Sequence, residues 1–174
     1  MPASDHLEPP LDVLAAWHRQ GRGLFETMRR LAKGAPAMSV DAAAQRHAQS
    51  ILAYFDRSIA VHYEDEERDL FPALVESMAG SDPVCLREMV DSLTNEHRAL
   101  AAAWRDLRPA FAGLARGTPS TLALEHVEAL IGLCERLCRR EDEELLPMAS
   151  RLLSDEARHQ ILDAMLARRR RSPS

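Results

Sequence analysis

Segments 62–72 and 137–147 of this 174-residue chain are near-copies of each other. The first reads His62-Tyr63-Glu64-Asp65-Glu66-Glu67-Arg68-Asp69-Leu70-Phe71-Pro72. The second reads Leu137-Cys138-Arg139-Arg140-Glu141-Asp142-Glu143-Glu144-Leu145-Leu146-Pro147. With the prolines aligned, Glu66 falls on Glu141, Glu67 on Asp142 and Leu70 on Leu145, while His62 falls on Leu137. Each aligned glutamate sits one helical turn after position 62 or 137 and one turn before a leucine, so it lies on the apolar stripe of a helix. A carboxylate there must be neutralised or find a cation. The repeat therefore asks for a helical fold in which two carboxylates from different helices face one interior site.

Composition agrees with helices. Ala, Leu and Arg abound, aromatics make up 5% and there are only seven glycines, which argues against a sandwich or barrel. A chain of this length can bury a substantial core as one domain. Apolar periodicity predicts a first helix from Leu11 to about Lys33 through Leu14, Trp17/His18, Phe25, Met28 and Leu31, weakened locally by Gly21 and Gly23. After Gly34-Ala35-Pro36, Ser39 or Asp41 can cap a second helix running through Ile51, Phe55, His62, Glu66 and Leu70. Gly80-Ser81-Asp82-Pro83 marks a stop and a restart, with Pro83 in a first turn. A third helix carries Leu86, Leu93, Leu100, Trp104, Leu107 and Phe111, with a bend expected at Pro109. Gly117-Thr118-Pro119 separates it from a fourth helix through Val127, Leu130, Cys134, Leu137, Leu145 and Met148.

Four long helices with short breaks predict an all-α, antiparallel up-down four-helix bundle over residues 11–153. Residues 1–10 are expected to form a flexible N-terminal segment, and 154–174 a short extra C-terminal helix, capped by Ser154-Asp155-Glu156, with a basic tail. Arg168 to Arg171 read as a solvated helix end.

Polar residues interrupt these stripes at few places. His18 lies on the inner face of the first helix, His62 and Glu66 on that of the second, His97 between Leu93 and Leu100 on the third, and Glu141 on the fourth. Taken singly, His18 or His97 reads as a hydrogen-bonded core histidine and His62 with Glu66 as a buried ion pair. Together, three imidazoles and two carboxylates form a complete metal-ligand set suited to iron, manganese or zinc. Glu64, Asp65, Glu67, Arg68 and Asp69 read as a solvated face, with Glu67 able to lean in as an outer ligand. His47 and His126 lie roughly 16 Å or more along their helices from the site level. Cys134 and Cys138, one turn apart, read as buried thiols whose helical spacing disfavours a disulfide.

These residues resemble the hemerythrin-like, or HHE cation-binding, family. Its pattern places a His on helix one, His-x-x-x-Glu on helix two, Glu-His on helix three and His-x-x-x-Glu on helix four. Here the positions read His18, His62 to Glu66, Glu96-His97 and Leu137 to Glu141, and the Leu-Phe-Pro and Leu-Leu-Pro turns match as well. The resemblance covers about 11 to 153 and implies a non-heme di-iron centre. His18 and His62 would bind one iron, His97 and a fourth-helix histidine the other, and Glu66 and Glu141 would bridge them. Leu137 departs from the pattern. The second iron then binds weakly with extra waters, or the site holds one metal, or Cys134 or Glu67 compensates.

The implied function is binding or sensing of oxygen, nitric oxide or peroxide, or iron handling. The alternatives are a degenerate mono-metal or metal-free structural or regulatory module, and a di-iron enzyme or iron-centre repair factor. No Ser/His/Asp nucleophilic set or phosphate-binding glycine loop favours an enzyme. A net charge of −5 gives no nucleic-acid surface, and no run is apolar enough to span a membrane. Three cysteines without scaffold spacing, and no apolar leader, suggest free thiols and a cytoplasmic setting. An exposed helix face could support a homodimer.

Overall fold

The computed structural model describes residues 10–34, 40–78 and 84–171. Five helices make up nearly all of it: α1 (Pro10–Lys33), α2 (42–77), α3 (Val84–Ala115), α4 (124–152) and α5 (Asp155–Arg171). The expected Ser39 cap, the Pro36 break and the restart at Gly80–Pro83 lie outside the described residues. Among the described residues no helix is long and apolar enough to cross a membrane.

In α1 the buried residues are Pro10, Leu14, His18, Gly21, Phe25 and Met28, a single stripe at helical spacing. Gly21 belongs to it because a Cβ there would collide with the Tyr54 hydroxyl, which donates to the Trp17 carbonyl at 3.3 Å. Its cost in helix propensity is thus offset by close approach of α2. Asp41 caps α2, accepting from the Ala44 N–H at 2.7 Å. The third helix runs without interruption through Pro109 to Ala115. It ends in a Schellman turn: Thr118 N–H bonds to Gly113 O and Gly117 N–H to Leu114 O, with Gly117 at φ 77°.

Neither α2 nor α4 is a regular α-helix throughout. Each contains a π turn that starts on the repeated glutamate, Glu66–Leu70 and Glu141–Leu145. The N–H groups of Phe71 and Leu146 reach back five residues to the Glu66 and Glu141 carbonyls. Pro72 and Pro147 follow immediately. A proline lacks an N–H and its ring crowds the carbonyl four residues back, so the ladder is already short of a bond there and the wider turn fits. The extra residue shifts the helical phase, and Leu70 with Phe71, and Leu145 with Leu146, are buried as adjacent pairs. A third π turn, Tyr54–Ser58, similarly turns both Tyr54 and Phe55 inward.

The bundle is a ring in which α1 packs on α2 and α4, and α3 packs on α2 and α4. Leu14, Leu70, Leu93 and Leu145 are fully buried around its axis, one from each bundle helix. The terminal helix α5 is capped by Ser154, whose hydroxyl accepts from the Ala157 N–H at 3.2 Å, and lies across α1 and α2.

That docking corrects two expectations. Asp65, read as part of a solvated face, is fully buried. It is held by Arg168 and Arg169 of α5, the latter at 2.6 Å, and Arg168 also binds Asp69 at 2.7 Å. Arg168 and Arg169 are therefore not a solvated helix end; only Arg170 and Arg171 are exposed. A buried carboxylate needs a cation, and these come from beyond the bundle.

Candidate metal centre

Each bundle helix delivers part of one buried cluster. His18 comes from α1, His62 and Glu66 from α2, His97 from α3 and Glu141 from α4, all at most 2% exposed. The five residues singled out in the sequence therefore meet. All three imidazoles point Nε2 inward. His18 Nε2 lies 3.2 Å from His62 Nε2 and 2.9 Å from Glu141 Oε2. His97 Nε2 lies 3.3 Å from Glu66 Oε2 and 3.3 Å from Glu141 Oε1. His62 Nε2 lies 3.6 Å from Glu66 Oε2 and 3.9 Å from Glu141 Oε2. One ligand atom each from His18, His62, Glu66 and Glu141 fall within 4.8 Å of one another.

The outer ring nitrogens are fixed by a second pair of carboxylates. Asp142 Oδ1 meets His18 Nδ1 at 2.6 Å, and Glu67 Oε1 meets His97 Nδ1 at 2.8 Å. These are the aligned positions of the repeat. Each sits on the residue after the inner glutamate and reaches across to the histidine of the other hairpin. An Nδ1–H donated outward leaves Nε2 as the lone-pair donor facing the interior. Asp142 was not singled out by the sequence reading, although its alignment with Glu67 was the available signal. Arg22 steadies it at 3.1 Å.

The inner carboxylates are short of donors. Both oxygens of Glu66 and Oε2 of Glu141 are buried without a hydrogen-bond donor; the 2.9 Å approach of His18 to Glu141 is an ion-pair contact without hydrogen-bond alignment. Burial by itself lowers a histidine pKa, but the Glu141 contact and charge, helped by Asp142 and Glu66, raise His18 from 6.5 to about 9. Burial is likewise outweighed at His97, where Glu141 and Glu66 raise it to about 10. Burial would push Glu141 up, yet His18, His62 and His97 hold it well below the usual carboxylate range. Metal-free, the cluster is a proton-stabilised ion-pair network. Its unpaired carboxylate oxygens and inward nitrogens fit a cation in place of those protons.

The profile of the hemerythrin HHE cation-binding domain matches residues 9–149. This chain belongs to the hemerythrin HHE family. No curated protein matches it significantly.

Within this hemerythrin domain, Leu137, where the resemblance leads one to expect a histidine, is buried at 3% exposure. Of the two residues expected to compensate, Glu67 is bound to the outer nitrogen of His97. Burial raises the Cys134 thiol to about 12 in the metal-free chain. Cys138 is pushed up as well, by burial and then by Glu141. Glu96, adjacent to His97, pairs with Arg140 next to Glu141. Tyr63 stacks on His97 with ring centroids 3.8 Å apart. Family membership and this cluster together describe a helical protein with a buried His/Glu group that could hold a metal.

Proposed function

We propose that this chain is an iron-binding hemerythrin-like protein that binds or senses oxygen, nitric oxide or peroxide. The observation that carries the reading is the convergence of three Nε2 atoms on two buried glutamates, three of whose four oxygens lack donors. In this proposal His18 and His62 would hold one ion and His97 a second, with Glu66 and Glu141 supplying the carboxylate ligands. Asp142 and Glu67 keep the His18 and His97 nitrogens aimed inward. Iron held there supplies a redox-active centre able to take a small ligand. The surrounding leucines, Leu14, Leu70, Leu93 and Leu145, exclude bulk water. The three free cysteines support a reducing, cytoplasmic setting.

Elemental analysis of protein purified without added metal or chelator tests this reading. Two irons per chain, with visible absorption that responds to oxygen or nitric oxide, are expected if the Leu137 half still loads. A protein that stays metal-free and colourless after anaerobic iron loading would sink it.

Leu137 favours a second reading, in which one ion simply ties the bundle together. Metal would then raise thermal stability by linkage while every small gas left the spectrum unchanged.

A further inference from the structure

The chain has two tyrosines, and their hydroxyls differ. That of Tyr54 donates to the Trp17 carbonyl. That of Tyr63 is buried with no hydrogen-bond partner. Buried phenols ordinarily find an acceptor, so an orphaned one calls for an account. Tyr63 follows His62 directly, and its ring lies flat on His97, 3.8 Å between centroids and 9° between planes. Burial raises its pKa well above the ordinary 10, and the charges that add to this belong to Cys134, Glu141, Glu66 and Cys138. The hydroxyl is thus closed off from water, on a residue whose ring covers one face of His97.

The stacking decides what a phenol there can do. The Tyr63 ring lies parallel to the His97 imidazole, one stacking distance away. Were His97 to hold a metal, the phenol would be set to donate to a small ligand of that metal rather than to bind the metal itself. Leu137, where the resemblance expects a histidine, offers only carbon. The neighbouring Phe71 ring, stacked on His97 at 6.1 Å, is also apolar. A small anion held against such walls lacks solvation, and the Tyr63 O–H is placed to supply it.

Resting on the iron-binding reading, we propose that Tyr63 is the hydrogen-bond donor to a small anion held at the His97 side of the cluster. Tyr63 thereby selects for occupants with a lone pair facing the phenol.

Azide is the probe, titrated optically into the iron-loaded, oxidised chain and into Tyr63→Phe. A hydrogen bond to a charged acceptor corresponds to about tenfold or more in affinity, so Tyr63→Phe is expected to weaken azide by at least that factor. Iron content should be unchanged. The metal-free variant should melt no lower than the parent, because the deleted hydroxyl has no partner to lose. Nitric oxide, which is neutral, should change less than azide. Equal azide affinity at equal iron content would overturn the role of Tyr63 and leave the iron reading standing. Loss of iron in Tyr63→Phe would make the phenol a ligand, and equal weakening of azide and nitric oxide would make it a spacer, each overturning the donor role. Absence of iron in both proteins would overturn the proposal together with the reading beneath it.

Discussion

In the α1–α2 hairpin, His18 and His62 bring their Nε2 atoms to 3.2 Å, whereas in α3–α4 His97 has no such counterpart, since the residue that aligns with His62 is Leu137. The frames around them are alike. Both inner glutamates open π turns, both are followed by an outer carboxylate that grips a histidine of the other hairpin, and both turns close on a proline. Even the residue before each glutamate is pinned by opposite charge, Asp65 by Arg168 and Arg140 by Glu96. Duplication thus preserved backbone geometry while one side chain made the halves chemically unequal. A scaffold this symmetric isolates the effect of a single ligand, and variants can probe the inequality directly.

The largest effect is expected at Glu141, which lies within 3.9 Å of three imidazoles, against two for Glu66. Breaking a buried charge network costs about 3–5 kcal/mol, so Glu141→Gln should approach that loss in urea unfolding of the metal-free chain. Glu66→Gln should cost clearly less, and equal losses would mean that the two carboxylates are interchangeable. Both variants should lose metal.

Arg168→Ala comes next. It strips the main cation from fully buried Asp65, with Arg169 still in reach, and should cost about 2–4 kcal/mol by the same measurement. The double variant with Asp65→Asn should recover part of the loss.

Leu137→His is the restoring experiment. It should raise the second metal's occupancy and bring stoichiometry to two per chain by elemental analysis. An unchanged count would show that position 137 does not present an imidazole to the cluster.

Asp142→Asn and Glu67→Gln should each weaken metal binding by about 10–100-fold, the usual consequence of losing an outer partner of a ligating histidine. If the halves are unequal, competitive chelation should show Asp142→Asn affecting the tighter ion and Glu67→Gln the weaker one.

A further effect is the pH dependence shared by the halves. His18 and His97 are raised to about 9 and 10 in the folded metal-free chain, from 6.5. The stabilisation they receive is complete below about 6.5 and is lost as pH rises through 9 to 10. Glu141 is held low, so its contribution is present above about 4.5 and is lost on acidification. Thermal melts of the metal-free chain should peak between those limits. Metal must displace the protons on His18 and His97, so its affinity should climb with pH and level off only through about 9 to 10.

Much of this was legible in sequence because it is local and periodic. Stripe residues such as Leu14, Met28, Leu93 and Phe111 follow from spacing, and so do the five cluster residues that interrupt the stripes. What escaped depends on contacts between distant segments or on a change of helical phase. Asp65 sits in a run of charges and reads as solvated; only the docking of Arg168 shows otherwise. Asp142 aligned with Glu67, but its reach to His18 depends on how α1 and α4 pack. Gly21 looked like a weakness until Tyr54 was placed against it. The π turns leave a trace in the paired apolar residues Leu70-Phe71 and Leu145-Leu146, which a strict 3.6-residue period passes over.

The clasp between α5 and Asp65 also bears on when the centre can close. On a ribosome Asp65 emerges 103 residues before Arg168. Until that cation arrives, burying the residue beside Glu66 is opposed by desolvation, and this stretch of α2 favours staying hydrated. A helix made well after α2 therefore acts as the latch on this stretch, which can close only once Arg168 has emerged.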